Sequence, residues 1–262
     1  MAGVKTQPVG ILLRKWRERR RLSQLDLATD AEISSRHLSF LETGRSQPSR
    51  EMVLRLAEQL DVPLRERNAL LIAAGYAPAY PERPLDDPAL QPARKAVGLV
   101  LAGHEPYPAI AIDRHWTLIA SNNAVQPLMA GADPSLLRPP VNVLRLGLHP
   151  AGLSPRIANL AEWRSHLLER LRRQIEVSAD PVLEELLNEL SGYPMYDVGE
   201  ARHNEEYAGV VVPFRFVTEQ GVLSFISTTT IFGTPVDITL SELAVESFFP
   251  ADAATAMALR GL

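Results

Sequence analysis

Apolar positions in the first quarter of the chain recur every three to four residues, and each run is bracketed by residues that start or stop helices. In GILLRKWRERR, Leu13 and Trp16 share one face while basic residues fill the others. Ser23 is placed to cap QLDLATDA, whose Leu27, Ala28 and Ala31 share a face. Ser34 is placed to cap SRHLSFLET, with Leu38 and Leu41 turned inward and Gly44 as its stop. Ser49 precedes REMVLRLAEQL, where Val53, Leu56, Ala57 and Leu60 form an i, i+3, i+4, i+7 stripe. Pro63 and Gly75 bracket PLRERNALLIAAG, proline at the start and glycine at the end. The pattern predicts an all-α domain of five short helices over residues 1–75.

The texture then changes twice. Residues 76–95 hold five prolines and read as an extended linker. From residue 96 to 262 helical and strand periods alternate. YPAIAIDRHWTLIASNNA predicts two short strands around an Asp-Arg-His turn, followed by a polar helix start. RIANLAEWRSHLLERLRRQIE predicts a long amphipathic helix, and DPVLEELLNELSG a shorter one between an Asp cap and a Gly stop. AGVVVPFRFVTEQGVLSFISTTTIFGTPVDITL is rich in Val, Ile, Phe and Thr and is punctuated by EQG and GTP. It predicts strand, turn, strand, turn, strand, so the second domain reads as α+β with an antiparallel sheet.

Composition narrows the function. The chain has 262 residues and a net charge of −4, which taken whole argues against nucleic acid. Divided at residue 75, the head carries 13 Lys and Arg against 9 Asp and Glu, a net +4, and the remainder 14 against 22, a net −8. A basic head on an acidic body permits DNA binding at one end. Cysteine is absent, which excludes disulfides, thiolate metal sites and cysteine nucleophiles and fits a cytoplasmic location. The first twenty residues lack the apolar core of a signal peptide, and the longest uncharged runs are broken by Asn, Gln and Pro. The expectation is a cytoplasmic protein with no membrane partner.

Two helices joined by a tight turn, the second with small polar and basic residues at its start, are how helix-turn-helix proteins read a major groove. The helix Ser34–Thr43 has that make-up. Ser34, Ser35, Arg36 and His37 open it, Leu38 and Leu41 face inward, and Ser39 and Phe40 complete the outer arc. Gln24, at the start of the preceding helix, is placed where an amide bridges a phosphate and a base edge. Arg45 and Ser49 are placed for the flanking backbone. A plain helical bundle with a solvated basic face also yields capped amphipathic helices; the order of the Gln, Ser, Glu and Gly positions favours DNA.

These residues carry a resemblance. LSQ at Leu22 to Gln24, Leu27-Ala28, Ile33-Ser34, Leu38-Ser39, LETG at Leu41 to Gly44, and Pro48 together resemble the lambda-repressor-like helix-turn-helix family, often called the xenobiotic-response-element type. The resemblance implies that Arg17 of the first helix pairs with Glu42 as a structural ion pair. It also implies a dimer on double-stranded DNA with a near-palindromic operator. One position departs from the family pattern: Glu32 stands where the turn before the reading helix usually has Gly.

HEPYPAIAIDRHWTLIASNNA, NVLRLGLHPAGLSPRIANLAEW and LSFISTTTIFGTPVDITLSELAVESFFPAD are similar to the MmyB-like regulators, whose C-terminal domain is a PAS-like ligand-binding fold. The resemblance implies a small lipophilic, fatty-acid-like effector and no cofactor. For a carboxylate head the candidates are Arg145 and His149, with Asn142 beside them, since Arg grips a carboxylate through two bonds. Trp116, Trp163, Phe214, Phe225 and Phe232 are candidates for the apolar lining, although strand aromatics are more often core.

Two rivals come from other classes. An enzyme is unsupported: the six histidines form no H-E-x-x-H, Glu162 and His166 read as a surface pair, and no nucleophile elbow, P-loop or dinucleotide fingerprint occurs. Neither catalytic residues nor metal ligands are expected. The other rival is a regulator whose second domain binds its own copy or a protein partner, without a small molecule.

Overall fold

The computed structural model describes residues 7–195, 211–219, 221–232 and 237–260. Helices α1 (Val9–Arg19), α2 (Gln24–Asp30), α3 (Ser35–Glu42), α4 (Arg50–Gln59) and α5 (Leu64–Ala73) form one compact unit. Leu13, Leu27, Leu38, Val53, Leu56 and Leu60 of the periodic stripes are all 0% exposed. Each such side chain contributes about 2 kcal/mol by leaving water. The three serines cap as their spacing requires: Ser23, Ser34 and Ser49 accept from the amides of Asp26, His37 and Met52.

All five helices end alike. The amides of Leu22, Ile33, Arg45, Val62 and Tyr76 each return to a carbonyl five residues earlier. This closure puts Arg21, Glu32, Gly44, Asp61 and Gly75 in the left-handed region, at φ between 46° and 87°. The three residues that are not glycine each accept a cost of about 1–2 kcal/mol from the crowded Cβ. Glu32 therefore adopts the backbone that a glycine would have taken, and the turn before α3 keeps its shape.

The proline-rich stretch is structured at both ends. The Asn68 side chain of α5 accepts from the amides of Ala79 and Tyr80 and donates to the Tyr80 carbonyl. Further on, a 3-10 turn at Pro88–Leu90 leads into α6 (Gln91–Gly103), which begins inside the segment read as linker. Pro92 lies in the first turn of α6, where a missing N–H leaves no helical bond unmade.

The second unit is built on a five-stranded antiparallel sheet with strand order 2-1-5-4-3. Its strands are β1 (Ala109–Ile112), β2 (Leu118–Ser121), β3 (Phe214–Thr218), β4 (Gly221–Ile231) and β5 (Ala244–Pro250). Helices α7 (Gln126–Met129), α8 (Val143–Leu148), α9 (Leu160–Ser178), α10 (Pro181–Ser191), α11 (Ile238–Ser241) and α12 (Ala253–Arg260) complete this PAS-like α+β unit. Strand β1 reads AIAI because it is buried on both faces. Ala109 and Ala111 leave room for Val97 and Leu101 of α6, while Ile110 and Ile112 join the main core with Trp163 and Phe225.

The Asp-Arg-His turn joins β1 to β2, and the Asp113 carboxylate accepts from the amides of His115 and Thr117. The third strand of the Val- and Thr-rich region differs from expectation. Ile238–Ser241 is a helical turn, and the strand follows as AVESFFP. Glu246 in its middle hides the strand from propensity, and only burial between β1 and β4 makes it one. Residues 208–210 of that region, Gln220 of the first turn and the Gly233-Thr234-Pro235 turn lie outside the described residues. Among the described residues no helix is long and apolar enough to cross a membrane.

Candidate functional site

Helix α3 is held from below by its apolar side and by one ion pair. Arg17 of α1 donates from Nε to Glu42 Oε1 at 2.6 Å and from Nη2 to Oε2 at 2.9 Å. The third donor group, Nη1, reaches the Leu22 carbonyl at 2.8 Å, and Gln24 Nε2 donates to Glu42 Oε2 at 2.8 Å. A buried carboxylate that accepts three bonds anchors α1 and the start of α2 to the end of α3. The hydrogen bond to Glu42 is the largest cause raising the Arg17 pKa, so the guanidinium stays charged. Gln24 thus turns its amide N–H toward Glu42, a role its place in the motif did not reveal.

A second anchor escaped the sequence reading. A Cβ on Gly10 would stand 2.2 Å from the Leu41 carbonyl oxygen, so α1 approaches the last turn of α3 as only glycine allows. Its signal was a glycine inside an amphipathic helix.

Above these anchors α3 shows its polar side. Ser35 and Arg36 are exposed, and His37, Ser39 and Phe40 are half-buried. The guanidinium carbons of Arg36 and Arg45 lie 5.4 Å and 5.9 Å from the centroid of the Phe40 ring. One aromatic side chain therefore gathers two cations at the exposed surface. Ser34 and Ser49 are exposed at the starts of α3 and α4, each with its oxygen committed to a cap.

The second unit holds a partly open cavity of about 110 Å³ between the sheet and helices α7, α8 and α9. Of the residues singled out as apolar lining, Trp116, Trp163, Phe214 and Phe225 line it. Phe232 lies instead against the cluster formed by α6 and β1. Trp116 sits at φ 66°, a strained backbone for so bulky a residue, and its indole N–H is held by Gln174 Oε1 at 2.8 Å.

The three polar candidates are not among the lining residues. Asn142 caps α8 by accepting from the amides of Leu144 and Arg145, and donates to the His115 carbonyl. Arg145 grips Glu189 of α10 with Nε at 2.9 Å and Nη2 at 2.7 Å. His149 accepts from the Ala151 amide and packs edge-on against Tyr193. Burial and the hydrogen bond to Glu189 push the Tyr193 hydroxyl up to about 12. The trio and its neighbours tie α8 to α10.

The charged residue that does line the cavity is Glu246 of β5, 3% exposed. Its Oε1 accepts from Arg170 Nη1 at 2.9 Å, and Arg170 Nη2 donates to Thr229 at 2.8 Å. The same guanidinium lies 4.5 Å from the Trp116 ring centroid. Nearby on α9, His166 stacks on Trp163, and burial, then the positive charge of Arg170, lowers its pKa. The signal for this site was an acid in the middle of an otherwise apolar strand.

Comparison with known proteins places both units. Residues 8–70 match a helix-turn-helix domain. A crystal structure of the clp gene regulator ClgR from Corynebacterium glutamicum is 26% identical over 37% of this chain and 90% of that one, with a TM-score of 0.23. None of the curated proteins compared matches the chain. Residues 93–262 match the MmyB-like transcription regulator ligand binding domain. With a helix-turn-helix before that domain, the chain belongs to the MmyB-like transcription regulators and is a DNA-binding regulator.

Proposed function

We propose that residues 1–75 read a specific, near-palindromic operator as half of a homodimer, and that the domain from residue 96 onward senses a small lipophilic molecule. Helix α3 enters the major groove. Ser35, Arg36, His37 and Ser39 face base edges, and Ser34, Arg45 and Ser49 face the backbone, with Phe40 orienting the two arginines. Gln24 keeps its side-chain oxygen for a phosphate or base edge while its N–H stays on Glu42. The observation that carries this reading is the exposed Arg36–Phe40–Arg45 cluster on a helix whose other side is fixed by the Arg17–Glu42 pair. Effector binding shifts the dimer between states of different DNA affinity, by as much as the effector prefers one state.

The apolar cavity suits the body of the lipophilic effector that the family resemblance implies. Asn142, Arg145 and His149, the residues expected to hold a carboxylate head, are engaged with the His115 carbonyl, Glu189 and the Ala151 amide.

Capture of genomic DNA fragments by the purified chain at two salt concentrations tests the reading function. The expected result is enrichment of one near-palindromic site that survives the higher salt. Binding that is diffuse and vanishes with salt overturns it, since contacts to phosphate alone behave that way.

A further inference from the structure

Helix α6 packs on the sheet along one side and leaves its opposite side to solvent. Val97 and Leu101 are buried in one cluster with Ala109 and Ala111 of β1. At about 3.6 residues per turn, the side facing away carries Lys95, Ala96, Leu99, Ala102 and Gly103. Leu99 at its centre is 66% exposed, and Val100 on its flank is 45% exposed. The patch continues onto the sheet, because the His104 ring at the end of α6 lies 4.6 Å from the ring of Phe249, which is itself exposed. One exposed leucine needs no explanation. Here the whole run AVGLVLAG, from Ala96 to Gly103, is without a polar side chain, on a body that is otherwise acidic.

The charges at the two ends of this face indicate what covers it. Lys95 stands at one end and Glu105 at the other, both exposed, with no Lys, Arg, Asp or Glu between them. One oxygen of Glu105 accepts from the Asn123 amide at 3.1 Å, which fixes the carboxylate at the helix end. A second copy related by a two-fold axis near Val100 runs its own α6 antiparallel, so position 95 of each copy meets position 105 of the other. Lysine then faces glutamate at both ends, and the apolar centre faces itself. A parallel pairing sets like charges together, which is costly. Ala96, Ala102 and Gly103 are small enough for the two helices to approach closely. Elsewhere the acidic body repels its own copy.

We propose, resting on the homodimer reading above, that two copies of the chain pair through the outward face of α6 and the neighbouring Phe249, antiparallel about an axis at Leu99 and Val100. A helix of 13 residues is about 20 Å long, so the paired faces fall below the roughly 800 Å² per partner of a standard interface. The pairing is accordingly weak in free solution and strengthens when one DNA duplex holds both heads.

The chain has no cysteine, so a single introduced thiol reports on its own copy. Under mild oxidation Leu99→Cys is expected to give a disulfide-linked dimer, because position 99 lies beside the axis. Val182→Cys on α10, exposed on the other side of the sheet, is expected to stay unlinked. In sedimentation equilibrium, Leu99→Glu is expected to raise the dimer dissociation constant about tenfold or more, with an unchanged circular dichroism spectrum. Lys95→Glu is expected to weaken pairing, and Glu105→Lys added to it is expected to restore pairing. No link through Leu99→Cys, equal linking through Val182→Cys, or an L99E chain that pairs like wild type overturns the inference and leaves the homodimer standing on another face. A folded double variant that does not regain pairing overturns the antiparallel register. Should a charge variant fail to fold, the thiol result decides alone. A wild-type chain that stays monomeric both alone and on the enriched operator overturns the homodimer reading, and this inference falls with it.

Discussion

Each unit contains a buried Arg–Glu pair, and the two pairs do different work. In the helical unit the Arg17 and Glu42 side chains are 10% and 1% exposed, and both carboxylate oxygens are bonded by two groups of Arg17 and by Gln24. In the sheet unit Arg170 and Glu246 are 26% and 4% exposed and share one bond of 2.9 Å. The first carboxylate accepts three bonds from protein donors, and its energy goes into holding α1 against α3. The second keeps acceptor capacity and faces a cavity. The same two residue types make an architectural strut where both carboxylate oxygens are bonded, and leave acceptor capacity open where the acid lines a cavity.

That contrast is open to measurement. The largest effect is expected from Glu42→Ala, which leaves Arg17 buried without its partner and costs about 3–5 kcal/mol of stability by urea denaturation. Glu246→Ala costs less, about 1–3 kcal/mol, because Arg170 reaches water once released. Equal losses would mean that the second pair is also a strut. Arg36→Ala is expected to weaken binding to the enriched operator by about 1–3 kcal/mol at fixed salt, with no change in the denaturation midpoint. Unchanged affinity would remove Arg36 from the reading face.

A gain is expected at Glu32. Its backbone is left-handed at φ 54°, so Glu32→Gly relieves the Cβ clash while freeing the unfolded chain, for a net stabilisation of about 0.5 kcal/mol. A loss there would show that the Glu32 side chain contributes something the backbone does not explain.

The smallest effect is a pH dependence near the cavity. Burial lowers the His166 pKa, so the unfolded chain takes up this proton more readily than the folded one. Its contribution is complete above the unfolded value of about 6.5 and declines as pH falls below it. The hydrogen-bonded carboxylates Glu18 and Glu189 also have lowered values, and their contribution is lost at lower pH, as it falls through the ordinary carboxylate range and below it. Denaturation midpoints at pH 7.5 and 5.5 are expected to converge on replacing His166 with Gln. An equal drop in wild type and variant would assign the slope to other groups.

The helical unit was legible because its information is local. Leu13, Leu27, Leu38 and Leu56 lie on stripes that any reader can count, and Ser23, Ser34 and Ser49 cap the helices that follow them. What was missed there involves contacts between helices: the Gln24 bond to Glu42 and the approach of Gly10 to the Leu41 carbonyl. In the sheet unit the strands β1 to β4 were visible in propensity, whereas β5 was not, since AVESFFP carries an acid at its centre. The aromatics Trp116, Trp163, Phe214 and Phe225 were found by type alone, and type alone also selected Phe232, which packs on the other side of the sheet.

By itself, the sequence determined where the five helices of the head begin and end, which of their faces are apolar, and that a basic head precedes an acidic α+β body. Those properties depend on residues within one or two turns of each other, where spacing is the physics. Tertiary structure alone decided which polar groups are spent and which remain available. Arg145 is held by Glu189 from 44 residues away, and Arg170 meets Glu246 across 76. Whether a charge braces the fold or faces a ligand depends on the partners that distant segments bring to it, because a carboxylate's role follows from which of its lone pairs the folded chain has already filled.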